Sequence, residues 1–126
     1  GYQMALRLQK IFESVNDMYL TCDLAELKID KKNPIEGEIG LSIDLDQLNG
    51  QIVVLIDDVM NTGRTQAYGI KFLLRAAIKK LETAILVDRR HKLFPVSTSY
   101  CGLALSTTLE EHVEVSFDSG KGAFVY

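Results

Sequence analysis

"VVLIDDVMNTGRT" occupies residues 53–65 and decides how the rest of the chain is read. Its first four residues belong to "IVVLI" (52–56), an unbroken aliphatic run rich in β-branched side chains. Such a run is the pattern of a strand buried on both faces of a parallel sheet. Two adjacent acids, Asp57 and Asp58, stand where that strand is expected to end, and a loop is expected over 57–63. Thr62, Gly63, Arg64 and Thr65 then lead into Ala67, Ile70, Leu73, Leu74 and Ala77, the spacing of a helix of about 15 residues. "TAILVD" (83–88) reads as a second buried strand. Strand, loop, helix, strand is a βαβ unit, so the class is α/β. A right-handed crossover through one helix makes the two strands parallel and puts their C-terminal ends on one edge. Asp88 and Arg89 are therefore expected beside Asp58.

That edge is where open α/β sheets bind ligands. Ionised carboxylates only accept hydrogen bonds, which suits vicinal hydroxyls, and they also engage Mg²⁺ directly or through its waters. Backbone N–H groups at a helix start favour an anion, and Gly63 permits the close approach or positive φ of a phosphate cradle. The hydroxyls of Thr62 and Thr65 add donors. Acceptors for hydroxyls and a cradle for phosphate, a few residues apart, match the shape of a ribose 5-phosphate. A simpler reading makes Asp57-Asp58 a strand-end turn and Thr62 or Thr65 a helix N-cap. It accounts for one acid and one threonine and leaves the rest of the array unexplained. The stretch is not a Walker A loop, which needs four residues between its glycines and a Lys-Ser/Thr, nor a GxGxxG turn.

Elsewhere the signals are plainer. Ala5, Leu8, Phe12 and Val15, with Met4 and Ile11 beside them, mark an amphipathic helix over 3–16. Because that helix starts almost at residue 1, a preceding segment is expected. "MYLTCDLAELKI" (18–29) is strand-like, and "DKKNPIEGE" (30–38) reads as a flexible loop. "LSIDLDQLNGQ" (41–51) alternates briefly and then turns at Asn49-Gly50. "HVEVSF" (112–117) and "AFVY" (123–126) are closing strands joined by "DSGKG" (118–122).

The 126 residues form one expected domain, 1–126, with 47% hydrophobic and 25% charged residues, enough to build a core. A net charge of −3 gives no bulk electrostatic footprint for nucleic acid. No apolar run approaches the ~18 residues of a membrane span, and no signal peptide is present, so the expected compartment is the cytoplasm and no membrane partner is expected. Cys22 and Cys101 lack any metal or disulfide spacing and read as two reduced core thiols. His91 sits in "DRRHK", either a lip over the site or a solvated charge run, and His112 reads as a surface strand residue. Lys71, Arg75 and Lys79 share one helix face, which reads as solvated.

The 53–65 stretch resembles, position for position, the phosphoribosyl-pyrophosphate signature of type I phosphoribosyltransferases: an apolar quartet, two acids, a variable triplet, then Thr-Gly-x-Thr. "VDRRHKLFPVSTSYCGLAL" (87–105) resembles Val-Asp-Arg-Gly-His-Arg-x-Leu-Pro followed by Tyr-x-Gly in the bifunctional pyrimidine operon attenuator and uracil phosphoribosyltransferase proteins, with Arg90 in place of the glycine and Phe94 in place of the leucine. "GYQMALRLQKI" (1–11) is similar to the helix after that family's pyrophosphate loop.

The resemblance implies the α/β core of that family, a mostly parallel sheet flanked by helices. It also implies that the N-terminal part of the core is missing and that the loop over the site, at 28–40, is short. Asp57 and Asp58 would be the catalytic pair on the ribose hydroxyls. Asn61, Thr62, Gly63, Arg64 and Thr65 would complete the phosphoribosyl site, and Asp88, Arg89 and Gly1 would face the base or pyrophosphate. No residue is expected to form a dedicated metal site. Mg²⁺ would arrive mainly on phosphoribosyl pyrophosphate, the first partner, with a nucleobase or nucleoside monophosphate as the second. Uracil fits best by the 87–105 resemblance, and Asn61, in place of an acid found in purine-salvage relatives, makes purines less favoured. The resemblance further implies a homo-oligomer. It leaves two other functions open: a nucleotide-sensing, RNA-binding regulator of pyrimidine genes, which the acidic charge balance disfavours, and a catalytically silent binder of phosphoribosyl ligands.

Overall fold

The computed structural model describes residues 1–15, 20–30, 37–106, 113–117 and 123–125. In chain order these form α1 (Tyr2–Val15), β1 (Leu27–Lys28), β2 (Gly40–Leu41), a 3-10 turn (Leu45–Leu48) and β3 (Ile52–Met60). They continue as α2 (Arg64–Leu73), β4 (Lys80–Asp88), β5 (Tyr100–Ala104), β6 (Val113–Val115) and β7 (Ala123–Val125). The main sheet has the order β3-β4-β5. Both of its pairings are parallel, with Ile52 opposite Lys80, Met60 opposite Asp88, and Ala84 opposite Tyr100. β1 pairs antiparallel with β2, and β6 with β7. The expected α/β class and βαβ unit are therefore present, and α1 and α2 both pack on β3.

The run at 52–56 does start a strand, but that strand does not stop at the acids. β3 continues through Asp57 and Asp58 to Met60, because the β4 partner strand supplies a matching ladder up to Asp88. The turn is thus confined to 61–63 instead of 57–63. Nor is the strand buried on both faces. Val53 and Leu55 pack against Leu48, Leu73 and Ala76, while Ile52 and Val54, on the opposite face, are 59% and 43% exposed. Gly69 brings α2 close to that first face: a Cβ there would lie 3.1 Å from Leu55 Cδ2.

α2 has 10 residues, shorter than the expected 15 or so. Its end is set by another turn. Asn49 Oδ1 accepts from the Ala77 N–H at 2.7 Å, and the Ala77 carbonyl accepts from the Gly50 N–H at 2.8 Å, so Ala77 is drawn out of the helix. Asn49-Gly50 is a turn as expected, with Gly50 at φ 72. β4 begins at Lys80, three residues earlier than "TAILVD".

Of the strand-like 18–29, only Leu27–Lys28 is a strand; 20–26 is irregular, and 18–19 lie outside the described residues. Most of the 30–38 loop, the 118–122 turn and His112 also lie outside them. Strand β5 had no periodic signal, and every residue in it is exposed. Cys22 and Cys101 are free but exposed, which corrects the expectation of core thiols. No helix among the described residues is long and apolar enough to cross a membrane.

Candidate functional site

Successive strand residues face opposite sides of a sheet. Asp57 therefore shares the face of Val53 and Leu55, toward α2, while Asp58 shares the face of Ile52 and Val54. Their partners follow that division. Asp57 Oδ1 accepts from the Asp58 N–H at 3.0 Å, and Oδ2 accepts from Gln66 Nε2 of α2 at 3.3 Å. Asp58 Oδ1 accepts from the Val59 N–H at 3.0 Å. The Gly1 nitrogen lies 3.5 Å from Asp58 Oδ2 and 3.8 Å from Asp57 Oδ1. The side chains of Asp57 and Asp58 are 15% and 30% exposed, so both can still meet a ligand. Burial pushes the Asp58 carboxyl up, while hydrogen bonding with Asp57 and with the Val59 N–H pulls it down. Gly1 has no room for a side chain: a Cβ would stand 2.9 Å from the Ile56 carbonyl oxygen.

The loop after β3 is built around Gly63, which caps α2 in the left-handed conformation at φ 80. Neither threonine is the N-cap, contrary to the simpler sequence reading, and no side chain caps the helix. Thr62 Oγ1 instead accepts from the Arg64 N–H at 3.3 Å within the loop. A second segment clamps this loop from outside. The Thr62 carbonyl accepts from the N–H groups of Leu93 and Phe94 at 2.9 and 3.1 Å. A Cβ on Gly63 would lie 3.4 Å from the Phe94 carbonyl oxygen, and the Arg64 guanidinium lies 6.0 Å from the Phe94 ring centroid. Thr62 and Thr65 are half-buried; Asn61 and Arg64 are exposed.

β4 delivers Asp88 and Arg89 to the same edge. Asp88 pairs with Met60, and the Arg89 N–H donates to the Met60 carbonyl at 3.0 Å. Both side chains are buried, so Arg89 is packed into the protein. Asp88 is also engaged: Oδ1 accepts from the Arg90 N–H at 2.8 Å, and Oδ2 lies 3.3 Å from Lys92 Nζ. These bonds bend the chain sharply after β4, and Arg90 adopts φ 59 to complete the bend. The fold thus brings Gly1, Asp57, Asp58, the 61–65 loop, Asp88 and Arg89 to one sheet edge.

Sequence reasoning missed three contributors. Gln66 stands on α2 among apolar periodic positions, and its amide was the available signal. Lys92 lies four residues after Asp88 and was read only as part of a charge run. Phe94 was noted as a replacement, with no hint that it lies over the phosphate-type loop. Among the described residues no group of three or more His, Cys, Asp or Glu could hold a metal ion.

Comparison with known proteins covers nearly the whole chain. The family model for the phosphoribosyl transferase domain matches residues 1–119. A bifunctional protein PyrR of Staphylococcus saprophyticus is 32% identical over 120 residues, covering 91% of this chain and 69% of the relative. Its counterpart from Alkaliphilus metalliredigens is 38% identical over 124 residues, with 92% and 66% covered. The chain therefore spans about two thirds of the length of these curated relatives. Among solved structures, a hypoxanthine phosphoribosyltransferase from Staphylococcus aureus superposes with a TM-score of 0.59 at 20% identity, covering 80% of this chain and 56% of that one. A hypoxanthine-guanine phosphoribosyltransferase from Bacillus anthracis gives 0.60 at 14% identity, with 82% and 74% covered. At those identities the likeness is one of fold.

Proposed function

The chain belongs to the phosphoribosyl transferase domain family, and on that premise we propose that it transfers ribose 5-phosphate from phosphoribosyl pyrophosphate to a nucleobase, uracil. One observation carries the proposal: two adjacent, partly exposed carboxylates near the end of β3 stand six and five residues before a left-handed Gly63 that opens α2. The carboxylates accept from ribose hydroxyls, and the 62–65 backbone and hydroxyls receive the 5-phosphate. A base nitrogen then attacks the anomeric carbon, the bond to pyrophosphate breaks, and the base loses its proton to water. The residues contribute orientation and electrostatic stabilisation of a cationic ribose, with no covalent nucleophile. Mg²⁺ would come with the substrate: Asp57 and Asp58 would meet it through its waters, and it would neutralise charge on the leaving pyrophosphate. Uracil is favoured by the likeness of 87–105 to uracil phosphoribosyltransferases and by the neutral Asn61 at the loop. Incubation with phosphoribosyl pyrophosphate, Mg²⁺ and either uracil or hypoxanthine tests this. Uridine monophosphate and pyrophosphate should form in equal amounts. Formation of inosine monophosphate alone would reassign the base, and no nucleotide from either would leave a binding role only.

A second reading has support of a different kind. The relatives at 32% and 38% identity are named bifunctional, and Lys71, Arg75 and Lys79 are all exposed on or just after α2. Because α2 ends at Leu73, the single helix face expected for these three is not formed; a nucleotide-sensing regulator would use them as separate exposed cations toward RNA phosphates. Filter binding to a structured RNA at two salt concentrations separates the readings, because phosphate contacts give an affinity that falls steeply with salt. Absence of RNA retention at low salt would remove the regulatory role.

A further inference from the structure

Gln66 sits where α2 should bury an apolar side chain. The buried positions of that helix are Gln66, Gly69 and Leu73, the spacing of a stripe turned to the core. Gly69 and Leu73 suit that stripe, since one admits Leu55 and the other joins the central cluster. Gln66 is only 3% exposed, and burying an amide is costly unless it is hydrogen-bonded. Its Nε2 donates to Asp57 Oδ2 at 3.3 Å. An ionised carboxylate only accepts, so the amide must present its nitrogen there. The Asp58 N–H already holds Oδ1 at 3.0 Å. A donor on each oxygen fixes the Asp57 carboxylate about its last torsion.

We propose that Gln66 is a positioning residue, holding Asp57 in the orientation that meets a ribose hydroxyl and so setting the preference for ribosyl over hydroxyl-free ligands. The inference rests on the phosphoribosyl reading of the site. It differs from a packing role in one consequence. A packing residue supports the whole pocket, whereas Gln66 acts only through an interaction with hydroxyls.

Calorimetric titration of the chain with uridine monophosphate and with 2′,3′-dideoxyuridine monophosphate measures that consequence, because the two probes share phosphate and base. The wild-type chain should prefer the ribosyl probe by at least about tenfold, the worth of one charge-assisted hydrogen bond. Gln66→Met keeps the length and removes the donor; Gln66→Leu removes the donor with a shorter, branched side chain. Each should weaken the ribosyl probe about tenfold and leave the dideoxy probe unchanged, so the preference collapses. Gln66→Leu carries the test alone if Gln66→Met does not fold. Equal weakening of both probes, or a preference retained in the variants, overturns the positioning role while leaving the proposed function standing. A wild-type chain that binds both probes equally, or neither, overturns the proposed function and this inference with it.

Discussion

Asp57 and Asp58 are neighbours in sequence but answer to different surroundings. Strand alternation turns one toward α2 and Gln66 and the other toward Gly1. The pair stands out in the sequence because two acids after an aliphatic run have few structural uses, and its ligand role is part of the proposal. Their separate orientations were not legible, since they depend on β3 continuing to Met60. The threonines behave similarly. Their hydroxyls do not cap α2, and in the proposed reading they would donate to the phosphate. Replacing either Thr62 or Thr65 by Ala should remove one hydrogen bond to a charged group and weaken uridine monophosphate binding by roughly 1.5–3 kcal/mol, measured by calorimetry. Unchanged affinity in both variants would detach the loop from the ligand.

Arg90 carries the other residue-scale lesson. The motif that 87–105 resembles has a glycine at this place, and the structure shows why: the backbone turns through φ 59. A left-handed conformation costs a non-glycine residue roughly 1–2 kcal/mol, while a glycine adds roughly 0.4–1 kcal/mol of unfolded-state entropy. Strain relief outweighs entropy, so Arg90→Gly should raise stability by about 0.5–1 kcal/mol in chemical denaturation. A lower stability would mean that the Arg90 side chain contributes contacts of its own.

Among the elements, those with strong periodicity were read correctly in kind and wrongly in extent. α1 and β4 emerged within a few residues of expectation. The end of α2 could not be read locally, because it is fixed by Asn49 and Gly50 from the preceding turn. β5 was invisible to periodicity because it is an edge strand exposed along its length, with no buried face to impose alternation. What seats it is Gly102. A Cβ at that position would stand 2.8 Å from the Leu86 carbonyl oxygen, which is backbone and cannot turn aside. Gly102→Ala should therefore push β5 off β4 at a cost of roughly 1–3 kcal/mol, the range for overpacking. Faster amide exchange confined to 100–104 would show it, and unchanged exchange there would contradict the close packing.

At the scale of the molecule, the sheet edge gathers acids, loop and second strand end because one parallel crossover carries them all. Met60 lies opposite Asp88, and the Thr62 carbonyl is held by the backbone of Leu93 and Phe94. The 53–65 signature was sufficient for the fold because each part had one physical use: apolar run for a strand, Gly63 for the turn, periodic residues for a helix. The clamp from Leu93 and Phe94 was not readable, since its hydrogen bonds join segments about thirty residues apart through the backbone. The central claim is that this edge binds a ribose 5-phosphate in two parts, hydroxyls on the carboxylates and phosphate on the loop. Calorimetric titration of uridine monophosphate and of inorganic phosphate into the wild-type chain and the Asp57→Asn/Asp58→Asn double variant tests both parts at once. The predicted result is loss of the nucleotide by at least tenfold with phosphate affinity nearly unchanged. Equal retention of both ligands, or equal loss of both in a variant whose circular dichroism matches wild type, would contradict it.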